Sequence, residues 1–73
     1  MDHVKIGRLI AECRKQNNLS QLQLAGMLNI TDKAVSKWER GIAMPSTSIM
    51  LQLCDILGIS VNELLNGEKV QTT

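Results

Sequence analysis

The polar stretch TDKAVSKWERG occupies residues 31–41, near the middle of the chain. If it is a helix, with about 100° between successive residues, its charged and hydroxyl side chains share one arc, while Val35 and Trp38 point the other way. The arc consists of Asp32, Lys33, Ser36, Lys37 and Arg40. These groups can attract anions and can donate and accept hydrogen bonds. The stretch is therefore suited to recognising a polar partner.

The rest of the chain lacks the groups that most enzymes and metal sites need. His3 is the only histidine, no glycine-rich phosphate loop occurs, and no serine or cysteine has an evident base nearby. A zinc site needs about four Cys or His ligands. Cys13 and Cys54 fall on apolar helical stripes and are interpreted as buried, reduced thiols. We predict a protein that is not an enzyme and binds no metal or cofactor.

Size, composition and charge place the chain among small helical domains. Its 73 residues suffice for one domain, and a core without Phe or Tyr must be aliphatic, which favours packed helices. Residues 1–45 carry a net charge of +3 and residues 46–73 a net charge of −2, so the two parts should orient differently toward an anionic partner. No apolar run approaches the roughly 20 residues of a membrane span, and the N-terminus lacks signal-peptide features. We expect a cytoplasmic location.

Capping residues and apolar spacing predict five helices. The sequences SQLQ at Ser20 and SVNE at Ser60 are capping boxes, and Thr31 and Ser46 are suitable caps without the box. The predicted helices span residues 4–17, 20–28, 31–40, 46–57 and 60–66. The predicted fold is all-α, a compact five-helix bundle in one domain over residues 1–67, followed by a polar tail over residues 68–73.

The second and third predicted helices are joined only by Asn29 and Ile30. They must therefore cross steeply, as in a helix-turn-helix, and Ala25 supplies the small residue that a close crossing needs. In this motif the second of the two helices enters the DNA major groove with its N-terminal residues at the base edges. The polar arc would then be the surface that reads base pairs.

Several segments resemble the phage Cro/repressor-type (Xre-type) helix-turn-helix DNA-binding domain family. They are IGRLIAECRKQNNLSQLQLA, VSKWERG, the proline at position 45 and LCDILGISVNELLNG, in that order. The resemblance covers about residues 6–67 and implies a lambda-repressor-like fold. One departure is Asn29, where the family often has glycine, but asparagine also tolerates the left-handed backbone conformation.

The resemblance also implies roles for individual residues. The base-reading or groove-edge positions are Asp32, Lys33, Ser36 and Lys37. The phosphate-contacting positions are Gln21, which also supports the reading helix, Arg40, and segment 42–48 with Ser46, Thr47 and Ser48. Arg14 and Glu39 match a structural ion pair between the first and third helices.

Physical chemistry gives independent reasons for some of these roles and leaves alternatives for others. Lysine donates to the O6 and N7 atoms of guanine, and a carboxylate accepts from N4 of cytosine. The helix starts at Ser20 and Ser46 attract phosphates. Asp32 could instead favour only the dipole of its own helix, and the cationic side chains could be a solvated face.

We therefore predict a sequence-specific, double-stranded DNA-binding transcriptional regulator. It would act as a repressor, binding a pseudo-palindromic operator as a homodimer with the 31–40 helix in the major groove and half-sites about 34 to 36 Å apart. The sequence indicates neither a membrane nor a small-molecule partner. It ends just past the fifth helix without a sensor segment, so the regulator either works without one or continues in a longer protein.

The alternative is a helical protein–protein interaction module of the antitoxin-like or regulator-docking kind. Such a module should present an exposed apolar patch, whereas the predicted exposed face is basic. A candidate self-association patch consists of Ile59, Val61, Leu64 and Leu65. These residues could equally complete a small core.

Overall fold

The computed structural model describes residues 2 to 70, which form five α-helices and no strand. The helices are α1 (His3–Gln16), α2 (Gln21–Leu28), α3 (Asp32–Glu39), α4 (Thr47–Leu57) and α5 (Val61–Asn66). The all-α, five-helix prediction is confirmed. Each predicted boundary lies within one residue of the observed one, mostly because the predicted ranges included the capping residue. In the part of the chain described, no helix is long and apolar enough to cross a membrane.

Local side-chain chemistry determines where the helices begin and end. Both capping boxes form: the Ser20 hydroxyl accepts from the Gln23 amide at 3.0 Å, and the Gln23 side chain accepts from the Ser20 amide at 2.8 Å, with the same arrangement at Ser60. Asn29 ends α2 in the left-handed conformation at φ 56°. The start of α1 was predicted one residue late, because the Asp2 carboxylate accepts from the first-turn amides and acts as an unrecognised cap.

The core is aliphatic apart from Trp38 and draws on all five helices. Its fully buried side chains include Ile6, Ile10, Leu24, Val35, Leu53 and Leu64. Cys13 and Cys54 are also buried and are free thiols. Desolvation raises the pKa of both thiols, so both stay protonated and act as small apolar groups.

Helix α1 crosses α3 very closely at Gly7. A Cβ atom added to Gly7 would lie 2.1 Å from the Trp38 carbonyl oxygen and 2.9 Å from that of Glu39. Only glycine allows this approach without a shift of the backbone. The sequence pattern placed a small residue at Ala25, which is indeed buried, but gave no indication of the contact at Gly7.

Residues 68–70, which follow α5, contact α1 and α5. The Lys5 ammonium pairs with the Glu68 carboxylate at 2.5 Å, and the Lys69 ammonium donates to the Gln16 side chain at 2.8 Å. The Val70 amide donates to the Glu63 carboxylate at 2.7 Å. Residues 68–70 of the predicted tail are therefore attached to the bundle, and residues 71–73 lie outside the described part of the chain.

Candidate nucleic-acid interface

The polar arc forms the exposed face of α3. Val35 and Trp38 are 0% and 5% exposed and hold the opposite face in the core. The arc itself is exposed at Asp32, Lys33, Lys37 and Arg40 and partly exposed at Ser36. Within residues 2 to 70, Lys33, Lys37 and Arg40 form no ion pair with a carboxylate. Their charges are thus available to an external anion.

Both ends of α3 leave this face accessible. At the start, the Thr31 hydroxyl accepts from the Ala34 amide at 3.3 Å and caps the helix. Thr31 therefore does the capping, and the Asp32 carboxylate accepts no hydrogen bond from residues 2 to 70. At the end, the Arg40 Nε donates to the Ser36 carbonyl at 3.3 Å, which folds the base of the guanidinium back over the last turn. The Nη groups of Arg40 remain as donors.

The first turns of α2 and α4 offer backbone donors. The amides of Gln21 and Leu22 in α2, and those of Thr47 and Ser48 in α4, have no hydrogen-bond partner in the described part of the chain. Ser46 is exposed and caps α4, its hydroxyl accepting from the Ile49 amide at 3.4 Å. Two adjacent amides without a partner at a helix start, together with the helix dipole, favour the binding of phosphate.

A polar cluster of Arg14, Gln21 and Glu39 connects α1, α2 and α3. The Arg14 Nε donates to Glu39 Oε2 at 2.6 Å and its Nη2 to Oε1 at 3.0 Å. The Gln21 Nε2 donates to the same Oε1 at 3.0 Å, and the Arg14 Nη1 donates to the Leu19 carbonyl at 2.7 Å. The hydrogen bond to Glu39 raises the pKa of the Arg14 guanidinium. The side chains of Arg14 and Glu39 are 11% and 8% exposed, so this is a nearly buried ion pair.

Two contacts of this cluster were not predicted from the sequence. The bond from Gln21 to Glu39 joins residues 18 positions apart, and the bond from Arg14 to Leu19 tethers the residue before the α2 cap. Neither follows from helical periodicity, because both depend on how the helices pack. For Gln21 the available signal was the family resemblance, which implied that this residue supports the reading helix but named no partner for it.

The candidate self-association patch mostly belongs to the core. Ile59 and Leu64 are buried, while Val61 and Leu65 are partly buried. The exposed large apolar side chains lie elsewhere, on several different elements: Val4, Leu22, Met27, Ile42, Leu51 and Val70. Over residues 2 to 70, no three His, Cys, Asp or Glu side chains come together as a metal site.

Comparison with known proteins places this geometry in a family. The family model described as helix-turn-helix matches residues 10–64. The chain belongs to this helix-turn-helix family. The family expected from the sequence motifs, the Cro/repressor-type (Xre-type) domains, is thereby confirmed.

Relatives and solved structures agree with the assignment. The helix-turn-helix domain is 35% identical over 65 residues to the SPbeta prophage-derived uncharacterized HTH-type transcriptional regulator YonR of Bacillus subtilis, covering 89% of this chain and 60% of the relative. It is 33% identical over 67 residues to the repressor protein C2 of Salmonella phage P22, covering 92% and 31% of the two chains. The chain thus spans only part of these relatives.

Two crystal structures share the fold at appreciable identity. The P22 c2 repressor in complex with a synthetic operator superposes with a TM-score of 0.81 and 32% identity, covering 86% of this chain and 96% of that one. The restriction-modification controller protein C.AhdI from Aeromonas hydrophila gives a TM-score of 0.77 and 35% identity, covering 86% and 91%. The lambda-repressor-like fold prediction is confirmed.

Proposed function

We propose that this domain binds double-stranded DNA in a sequence-specific manner and regulates transcription, with α3 in the major groove. The observation that carries the proposal is the face of α3: three cations without a carboxylate partner among residues 2 to 70, on the second helix of a helix-turn-helix. A merely solvated basic face would not need to coincide with the groove-entering helix. The protein acts by binding, without catalysis, in the cytoplasm.

We assign a role to each residue of this interface from its position and its hydrogen-bonding groups. Base edges are read by Asp32, Lys33, Ser36 and Lys37. Phosphates are bound by Gln21 and Arg40, and by the start of α4 at Ser46, Thr47 and Ser48. The unpaired amides at the starts of α2 and α4 support the phosphate assignments, because backbone donors fix the orientation on the duplex without reading its sequence.

The repressor role is inferred from a relative, and the dimer from the number of base pairs that one helix can contact. The P22 c2 repressor is named as a repressor and was solved with a synthetic operator, and at 32% identity and a TM-score of 0.81 the same mode of binding is the simplest inference. One helix can contact only a few base pairs, so site length requires two copies on a pseudo-palindromic operator. This chain spans 31% of the length of the P22 relative. The DNA target of the whole protein is therefore part of the proposal.

Selection from a random pool of duplex DNA tests the function directly. The purified protein is incubated with the pool at low and at moderate salt, and the bound duplexes are sequenced. We expect an enriched inverted repeat that persists at moderate salt, because base contacts survive the loss of counterion-driven affinity better than phosphate contacts do.

The opposite result would favour the protein-docking alternative. If the bound duplexes share no sequence and all binding disappears with added salt, α3 is a generic basic surface. A variant with Lys33, Lys37 and Arg40 all changed to Ala serves as the control, since it should enrich no sequence at either salt concentration.

A further inference from the structure

The carboxamide of Gln21 is held in one orientation by Glu39. Its Nε2 donates to Glu39 Oε1 at 3.0 Å. An ionised carboxylate can only accept hydrogen bonds, so the nitrogen of the carboxamide, and not its oxygen, must face Glu39. Glu39 is itself fixed by the two hydrogen bonds from Arg14, at 2.6 and 3.0 Å. The orientation of Gln21 is therefore set from α1 and α3.

This orientation determines what Gln21 can offer to a ligand. The carboxamide nitrogen carries two hydrogens, and Glu39 takes one of them. The other remains, on the same residue whose backbone amide, like that of Leu22, has no partner within residues 2 to 70. A carboxamide free to turn over would present its oxygen as readily as its nitrogen, and an oxygen cannot donate to a phosphate. With the nitrogen fixed in this way, Gln21 and Leu22 together retain three N–H donors without a partner within residues 2 to 70.

We propose that Glu39 is a positioning residue for DNA binding, which it serves by keeping the Gln21 carboxamide in its phosphate-donating orientation. The inference rests on the proposed function and goes beyond the role of Glu39 as the ion-pair partner of Arg14. Glu39 acts entirely through Gln21, because its side chain is only 8% exposed and its oxygens are occupied by Arg14 and Gln21.

A double-mutant cycle separates this role from a purely structural one. The dissociation constant for a short duplex of mixed sequence is measured for the wild type, Gln21→Ala, Glu39→Gln and the double variant. Loss of one hydrogen bond to a charged group should weaken binding by about tenfold in Gln21→Ala, and by a similar factor in Glu39→Gln. The double variant should bind no more weakly than Gln21→Ala, because Glu39 has nothing to position once the carboxamide is gone.

The salt dependence of binding supplies a second signature. Gln21 is uncharged, so the slope of log K against log salt should be the same for the wild type and for Gln21→Ala. Arg40→Ala is the matched control, because removal of a cation at a phosphate should reduce that slope by about one.

Either of two results would overturn the inference. If the wild type binds DNA but the two substitutions act additively, Glu39 affects binding only through the fold. If the wild type binds no duplex at all, the proposed function fails, and this inference fails with it.

A measurement on the unaltered protein covers the case in which Glu39→Gln unfolds, since that variant leaves the nearly buried Arg14 cation without its counter-charge. NMR relaxation of side-chain amides compares Gln21 with Gln52, which is exposed and forms no side-chain hydrogen bond within residues 2 to 70. We expect a clearly higher order parameter for the Gln21 amide, as for a rigid group. Equal order parameters for the two amides would refute the positioning role.

Discussion

Individual side chains of α3 can have two roles, and Asp32 illustrates how the structure separates them. Its carboxylate stands in the first turn, where it favours the helix dipole. The capping hydrogen bond is made by Thr31, however, whose hydroxyl accepts from the Ala34 amide. The Asp32 carboxylate is exposed and remains able to accept from a base. Both contributions are compatible with one conformation.

Lys33 and Lys37 should determine sequence preference. Replacing either by Ala should alter which duplexes are preferred, with discrimination at the affected position falling by up to about 1 to 3 kcal/mol, and less if the lysine acts as a point charge. Selection from the random pool, repeated with each variant, measures the change. Lys69→Ala is the matched control, because Lys69 lies after α5 and donates to Gln16 of α1. An equal loss of affinity for every sequence would reassign the lysine to a phosphate.

The ion pair of Arg14 and Glu39 should be critical for stability. Glu39→Ala leaves the guanidinium nearly buried without its counter-charge, at a cost of about 3 to 5 kcal/mol. For a domain of this size we expect a melting temperature lower by at least about 10 °C, measured by circular dichroism. Glu12→Ala removes an exposed carboxylate that forms no ion pair within residues 2 to 70, and should leave the melting temperature nearly unchanged. Similar melting temperatures for both variants would contradict the assignment.

Among the elements, the position of α3 depends on how closely α1 can approach it. The contact at Gly7 brings α1 against the carbonyls at the C-terminal end of α3. It also brings Arg14, two turns further along α1, within reach of Glu39. The close packing and the buried ion pair therefore depend on each other.

Two glycine substitutions test this packing, because they should change the free energy of unfolding in opposite directions. Gly7→Ala puts a methyl group 2.1 Å from a backbone oxygen and should destabilise the domain by about 1 to 3 kcal/mol. Gly26→Ala, in the last turn of α2, places its methyl group where no atom outside the helix's own backbone lies within 4 Å, and should stabilise the domain by about 0.5 to 1 kcal/mol. Urea unfolding of the two variants gives both values. A neutral or stabilising Gly7→Ala would show that α1 and α3 can separate without cost.

For the whole molecule, the exposed face of α3 is basic, whereas two carboxylates near the end of α5 form hydrogen bonds within the fold. The Glu63 carboxylate accepts from the Ser60 amide at 2.8 Å and from the Val70 amide at 2.7 Å. The hydrogen bond from the Ser60 amide lowers the pKa of Glu63 most, and the one from the Val70 amide lowers it further. The hydrogen bond from Lys5 likewise lowers the pKa of Glu68. Both carboxylates hold residues 68–70 against α1 and α5.

The lowered pKa values predict acid-sensitive stability. A carboxylate whose pKa is lower in the folded than in the unfolded state stabilises the fold above the ordinary glutamate pKa of about 4.3, and this contribution is lost as the pH falls through the folded value. Glu63→Gln should therefore flatten the fall in melting temperature below that pH.

The matched control for this prediction is Asp55→Asn, because the Asp55 side chain forms no hydrogen bond or ion pair within residues 2 to 70. Its melting temperature should decrease at acid pH in the same way as that of the wild type. Melting temperatures of the three proteins are measured from neutral pH down to acid pH. If the melting temperature of Glu63→Gln decreases as steeply as that of the wild type, the assignment of Glu63 is contradicted.

The sequence by itself determined the helices, their apolar faces and the polar face of α3. Caps such as Ser20 and Ser60 and the turn at Asn29 depend on residues two to four positions away, so they can be recognised from the sequence. The inward position of Trp38 followed from the spacing of one short helix. The order and spacing of the motifs sufficed to indicate the family.

The tertiary structure alone decided how these elements cooperate. It brought Gln21 to the same carboxylate oxygen as Arg14, set Gly7 against α3, and laid Glu68 and Lys69 on α1. These contacts join residues 18 to 63 positions apart, and no local pattern encodes them, because each depends on the angle and distance at which separate helices pack. The polar face of α3 follows from the local sequence. The contacts by which α1 and α2 hold α3 in place exist only in the assembled fold.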